Sequence, residues 1–220
     1  KGNILPQNLN KAMKIVQEKI KNKAINLYLL GKISKKKKDY VEAQKLFKGS
    51  ISLKNAEAMY EYGKMLFKDI SSPSNKEKAI EYFLMSIDND CPKAMFKYGL
   101  ILMNKDEMKQ DIETGIYYIK KAAEKGYVKA IFHYASILEN GYGIQIDKIE
   151  AKRYYKEAAI KSYTKSMYKY ALLTINSNSD AKEIDESLSI LKNACNKGHI
   201  DSIYLYGMLF YKGINLHINQ

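Results

Sequence analysis

Four columns of residues recur along this 220-residue chain in steps of 36, and a period of that length limits the fold more than any other feature. Ala58, Ala94, Ala130, Ser166 and Ser202 make the first column, and Tyr62, Tyr98, Tyr134, Tyr170 and Tyr206 the second. Gly63, Gly99, Ala135, Ala171 and Gly207 follow as a small-residue column, and Ala43, Ala79, Gly115, Ala151 and Ser187 as another. Ala24 and Tyr28 open the first copy, which on this alignment is two residues shorter between its halves.

Each period holds two helical patterns. Ala94, Tyr98 and Leu102 are spaced by four, and Ile116, Ile119, Ala122 and Ala123 keep the spacing of one apolar helical face. Breakers separate the patterns: Asn140, Gly141, Tyr142 and Gly143 inside one copy, Ser72 to Asn75 in an earlier one, and Gly126 or Gly198 between copies. Asp111 and Asp147 stand where a second helix should begin, as N-cap or first-turn acids. Small columns let helix backbones approach, and the tyrosine and leucine columns fill the space between repeats. A two-helix unit cannot bury its apolar face alone, so the copies must stack into an all-α solenoid.

The expected organisation is a single repeat domain over 1–220. It has a half repeat at 7–22 (Leu9, Ala12, Met13, Val16, Ile20) and full repeats at 23–56, 57–92, 93–128, 129–164 and 165–200, then a partial one at 201–220. Half units at both ends, and a first residue that is not methionine, read as a fragment or processed form.

The copy running through Ala130, Tyr134, Leu138, Gly141, Gly143 and Asp147 to Ala151, Tyr154, Tyr155, Ala158 and Ala159 resembles the Sel1-like repeat, a relative of the tetratricopeptide repeats. Ala94, Tyr98, Gly99 and Leu102, and the run from Lys120 to Tyr127, look like the same motif. The resemblance covers about residues 22–213 and implies a right-handed α-solenoid of antiparallel helix pairs. Tyrosine replaces the usual leucine at Tyr62, Tyr98 and Tyr134, and alanine replaces glycine at Ala135 and Ala171. Loop glycines are confined to Gly141 and Gly143, apart from Gly213. The resemblance further implies adaptor work without catalysis. The paired cysteines of a secreted branch are missing, so the cytoplasm is the expected compartment, with a lumenal or secreted one open if the N-terminus is processed.

Chemistry-bearing patterns are sparse. His133, His199 and His217 have no metal-ligand spacing, and no metal or cofactor is expected. Cys195 precedes His199 by four but takes the column of Ala123 and Ala159, which reads as core; Cys91, beside Pro92, reads as more exposed. The two are nearly three repeats apart and should not bond. Glu183, Asp185 and Glu186 crowd a helix start as dipole-favoured structural acids. No apolar run is long enough to span a bilayer.

Charge offers the remaining signal. The net charge is +13, with 37 Lys and Arg of which only Arg153 is arginine. Residues 1–54 carry 14 lysines and 3 acids, whereas the rest is nearly balanced. A binding face is expected on the first helices, opposite the Ala94, Tyr98, Leu102 stripe. Its columns hold Lys93, Lys129 and Lys165, then Lys97, His133 and Lys169, then Asn104, Asn140 and Asn176, flanked by an acidic copy with Glu57 and Glu61. The sharper reading is a concave trough for an acidic peptide or protein segment; the plainer one is solvated lysines and helix-terminating asparagines. Tyr60, Phe96, Phe132, Tyr168 and Tyr204 read as packing. The alternative classes are non-specific binding of nucleic acid or an anionic surface through Lys35, Lys36, Lys37 and Lys38, and a structural module beside a catalytic domain. Missing arginines disfavour nucleic acid. No small-molecule substrate is expected, and the pattern fixes no oligomeric state.

Overall fold

A computed structural model describes residues 4–69, 73–104, 111–177 and 179–211. Among these residues twelve helices occur and no strand. In chain order they are α1 (Ile4–Lys19), α2 (Lys23–Lys36), α3 (Tyr40–Ile51), α4 (Ala56–Lys68), α5 (Pro73–Asp88) and α6 (Pro92–Met103). There follow α7 (Ile112–Glu124), α8 (Val128–Asn140), α9 (Lys148–Ile160), α10 (Thr164–Ile175), α11 (Ala181–Asn196) and α12 (Ile200–Tyr211). Ser72, Gly213 and His217 lie outside the described residues, and Ser74 and Asn75, read as loop from the sequence, belong to the first turn of α5.

Two compact units divide the chain, residues 1–98 and 99–220. Within each, consecutive helices pair in antiparallel fashion. In the first unit Ser50 Oγ, near the end of α3, donates to the carbonyl of Ala24 near the start of α2 (2.6 Å), and Ser86 of α5 does the same to Ala56 of α4 (2.7 Å). The helices start where the sequence supplies caps. Asp39, Asp111, Asp147 and Asp180 each accept from the backbone N–H three residues on, which satisfies one orphan donor of the first turn. Asn22 and Asn55 do so at α2 and α4.

The turns between repeats are built alike. Lys54, Asp90, Gly126, Ser162 and Gly198, again 36 apart, all take positive φ between 58° and 78°. Each donates its N–H to the carbonyl three residues back, while the next residue's N–H reaches five back, as Cys91 does to Ser86 (3.1 Å) and Tyr127 to Ala122 (3.1 Å). The left-handed residue thus closes the helix and frees the chain to reverse.

Small columns carry the interhelix contacts. A Cβ on Gly63 would lie 2.9 Å from Phe83 Cε1 and 3.1 Å from the Ala79 carbonyl oxygen. In the second unit, one on Gly99 would lie 2.7 Å from the Gly115 carbonyl oxygen. Phe47, Phe83, Ile119, Tyr155 and Leu191 form the buried column of the second helices, each worth roughly 1.5–3 kcal/mol of burial.

The first copy departs from the expected register. Tyr28 packs at a tilt against Phe47 as Tyr60 does against Phe83, Gly31 meets Phe47 as Gly63 meets Phe83, and the Ser50 and Ser86 bonds reach Ala24 and Ala56. Its first helix is therefore offset by 32, so that Tyr28 answers to Tyr60 and not to Tyr62. The short connection from Lys37 to Asp39 absorbs the difference, and side-chain spacing alone could not separate the two alignments.

Candidate functional site

In the first unit the candidate face is laced by internal contacts. Glu57 accepts from Lys93 Nζ (2.8 Å) and from Tyr28 Oη (3.3 Å). Burial and these carboxylates push the Tyr28 hydroxyl well above its ordinary pKa. Glu61 accepts from Lys35 (2.6 Å) and Lys64 (3.3 Å). Burial works against its charge, yet the two ammonium groups outweigh it and hold the carboxyl below its usual range. Lys97 Nζ sits 4.4 Å from the centre of the Phe67 ring. The expected acidic copy is thus neutralised in place. Beside it lies an open cavity of about 470 Å³ whose lining includes Lys35, Tyr40, Gln44, Lys64, Met65 and Lys68.

In the second unit Lys169 pairs with Glu139 (3.0 Å), which also accepts from the buried Tyr155 hydroxyl (2.7 Å). Burial first, then Glu139, raises the Tyr155 pKa strongly. Lys129 and Lys165 are exposed and make no ion pair among the described residues. His133, half-buried on α8, has its pKa lowered by burial and then by the fields of Lys165 and Lys129, so these three groups share one positive neighbourhood. Asn140 Nδ2 donates to the Ser136 carbonyl (2.7 Å) at the end of α8, Asn176 is the C-cap of α10, and in the stretch after α6 Asn104 donates its N–H to Ile101 (3.1 Å). All three asparagines stand at helix C-termini.

One arrangement escaped the sequence reading. Lys35 to Glu61, Phe67 to Lys97 and Glu139 to Lys169 are the same positional contact made between successive first helices. Its signal is a partner one repeat minus six residues away, visible only once the copies are known to stack. On the second helices Lys152 to Glu183 (3.0 Å) and Lys156 to Glu186 (2.7 Å) do equivalent work.

The aromatic column grades from core to surface. Tyr60 and Phe96 are buried, Phe132 and Tyr168 are half-buried, and Tyr204 is 70% exposed. The basic run is splayed over a helix end: Lys35 turns to Glu61, Lys37 donates to Asn10 of α1 (2.8 Å), and Lys38 takes φ 64°. Cys91 is buried at 3% exposure, contrary to the reading from Pro92, because the turn tucks it beneath the Ser86 carbonyl. Cys195 is half-buried, and burial raises its thiol pKa, the opposite of an activated nucleophile. His199 Nδ1 lies 2.9 Å from Ser202 Oγ. Among the described residues no group of three or more His, Cys, Asp or Glu could hold a metal ion, and no helix is long and apolar enough to cross a membrane.

Solved structures share this architecture. A Sel1 repeat protein from Oxalobacter formigenes aligns over 97% of this chain and 92% of its own, with a TM-score of 0.78 at 21% identity. A protective antigen of uropathogenic Escherichia coli strains displaying an SLR fold aligns over 92% of this chain and 44% of its own, at TM-score 0.74 and 14% identity. An immunity protein from Pseudomonas aeruginosa covers 84% of this chain and 75% of its own, at 0.58 and 16%. Such identities speak for the fold alone. No curated protein matches the sequence. The family model for the Sel1 repeat matches residues 23–53, 56–91, 92–127 and 128–163, and the pairing of helices continues past it through α10 and α11. By those four repeats, more than half of its length, the chain belongs to the Sel1 repeat family.

Proposed function

We propose that the chain is a non-catalytic docking scaffold that holds an acidic peptide segment against its first helices. Sel1 repeat proteins are generally interaction scaffolds without catalysis. The observation carrying the finer reading is the neighbourhood of Lys129, His133 and Lys165. Most ammonium groups of the face already have carboxylate or aromatic company, as Lys93, Lys97 and Lys169 do. Lys129 and Lys165 have no such partner among the described residues, and their fields disfavour protonation of His133. A carboxylate docked there relieves that repulsion and meets two exposed donors at once. Asn140, at the end of the same helix, keeps its Nδ2 on the Ser136 carbonyl and would meet a ligand N–H through its amide oxygen. Lys93, Lys97, Asn104, Lys169 and Asn176 complete the proposed face as framing residues.

Selection of peptides from a random display library against the chain tests this directly. Sequences enriched in Asp and Glu are expected. Double substitution Lys129→Glu and Lys165→Glu should weaken their binding by roughly tenfold or more and flatten its salt dependence. Enriched peptides without acids, or binding indifferent to the double variant, would overturn the reading. Retention of oligonucleotides that depends on Lys35 to Lys38 and not on Lys129 and Lys165 would replace it with a nucleic-acid function.

A further inference from the structure

In the first unit Glu57 and Lys93 stand 36 positions apart on successive first helices, and their side chains bond at 2.8 Å. The same two positions in the second unit hold Lys129 of α8 and Lys165 of α10. The stacking that closes an ion pair in one unit therefore brings two ammonium groups together in the other. Both are exposed and without an ion pair among the described residues. His133, one turn on from Lys129, senses the two of them: burial first, then the fields of Lys165 and Lys129, lowers its pKa.

A third cation joins this pair. Lys161, the C-cap of α9, places its Nζ 3.9 Å from the point where a Cβ on Gly126 would stand, in the turn that leads into α8. Lys129 and Lys165 are each the second residue of their helix, and the N-caps Tyr127 and Tyr163 give the first turn no side-chain bond. The positive helix ends thus add to the lysine field. Glu139, on α8, is taken by Lys169 and Tyr155, and Asp201 lies 4.0 Å from His199. Glu124 and Glu157, on the second helices, make no ion pair with the three lysines.

Charge and shape decide which acid fits. A carboxylate carries one charge and two coplanar oxygens, so it leaves one of the paired ammonium groups uncompensated. A phosphate monoester carries roughly −1.5 to −2 at pH 7 and three terminal oxygens in a tetrahedral array. It balances Lys129 and Lys165 together and still offers an oxygen to Lys161. A backbone phosphodiester of nucleic acid has a single charge and lacks that match. Phe132 and Tyr163, half-buried with ring centres 5.3 Å apart, form an apolar floor beside the cations for residues that flank the phosphate.

We propose that the acidic group held at Lys129 and Lys165 is the phosphate of a phosphoserine or phosphothreonine in the docked segment, with Lys161 as third donor. This rests on the docking reading above and sharpens its ligand.

Three degenerate peptide pools, identical except for a central phosphoserine, glutamate or serine, are passed over the immobilised 220-residue chain. The phosphoserine pool should be held roughly tenfold more tightly than the glutamate pool, and the serine pool least. Lys129→Glu with Lys165→Glu should abolish that preference at unchanged helix content, and Lys161→Gln should narrow it. Inorganic phosphate should elute the bound pool where acetate of equal ionic strength does not. Glutamate peptides held as firmly as phosphoserine peptides would overturn the phosphate assignment and leave the acidic-segment reading standing. A phosphoserine preference that survives the double substitution would overturn the assignment as well. Retention of neither acidic pool would overturn both readings.

Discussion

Substituting alanine at Gly99 and at Gly207 perturbs the same column in opposite directions. Both glycines lie in helices, and in an exposed helix interior the exchange gains roughly 0.8–1.0 kcal/mol of propensity. At Gly207 nothing among the described residues opposes that gain, because the new methyl would meet none of them within 4 Å. At Gly99 the methyl would sit 2.7 Å from the Gly115 carbonyl oxygen, 2.8 Å from Ile119 Cγ1 and 3.2 Å from the Ile119 nitrogen. Two of those three neighbours are backbone, so no rotamer change relieves them and α6 must move away from α7. Overpacking of this kind costs roughly 1–3 kcal/mol, which offsets the propensity gain and leaves up to about 2 kcal/mol of net destabilisation. The propensity gain is common to both, so the two variants should differ by the overpacking cost, roughly 1–3 kcal/mol, or about 2–12 °C in midpoint for a chain of this size. Helical circular dichroism on heating, at low protein concentration, reads this. A Gly99→Ala protein as stable as Gly207→Ala would refute the claim that backbone contact sets the α6–α7 distance.

Removing Glu139 as Glu139→Gln should cost roughly 1–2 kcal/mol, because the 14%-exposed carboxylate serves both Lys169 and the buried Tyr155 hydroxyl; urea denaturation measures it. Glu61 carries a lowered pKa, so its contribution is full above the unfolded value near 4.3 and is lost as pH falls through the folded one; Glu61→Gln should flatten the acid limb of the stability curve. The His133 pKa is lowered too, so stability should fall as pH drops below about 6.5 and His133→Gln should remove that slope, while an acidic ligand should raise the imidazole pKa seen by proton NMR. Ser162→Gly should stabilise by roughly 1 kcal/mol, since Ser162 holds φ 66° in a turn where Gly126 and Gly198 sit without strain.

The columns of alanine, glycine and tyrosine made the helix pairs legible, because small residues every 36 positions have no other use than close helix approach. Caps were legible too, at Asp111 and Asp147, since an acid before an apolar period satisfies a first-turn donor wherever it stands. Less of the turn geometry could be read. Lys54, Asp90 and Ser162 take the same left-handed conformation as Gly126 and Gly198, yet no glycine marks them. Packing on both sides of the turn overrides a local penalty of about 1–2 kcal/mol, and a sequence pattern tuned to glycine passes over it. Cys91 departs from its expected exposure for a related reason: a residue before proline looks like surface, but this turn points inward.

Charge on the candidate face follows a rule that single columns hide. Summed within each copy, Glu57 and Glu61 make one acidic, while Lys93 with Lys97, and Lys169, make two others basic. Summed across the stacking contact, Glu57 cancels Lys93, Glu61 is shared by Lys35 and Lys64, and Glu139 cancels Lys169. Half-buried pairs such as Lys169 with Glu139 cannot turn to a ligand without leaving a carboxylate at 14% exposure uncompensated. What a partner on the proposed face would meet is the remainder after cancellation. Among the described residues that remainder concentrates at Lys129 and Lys165, with His133 held neutral between their fields. The residues that stabilise the stack and those that would recognise a partner are therefore drawn from the same columns, and only the position of the neighbouring copy's acid separates them.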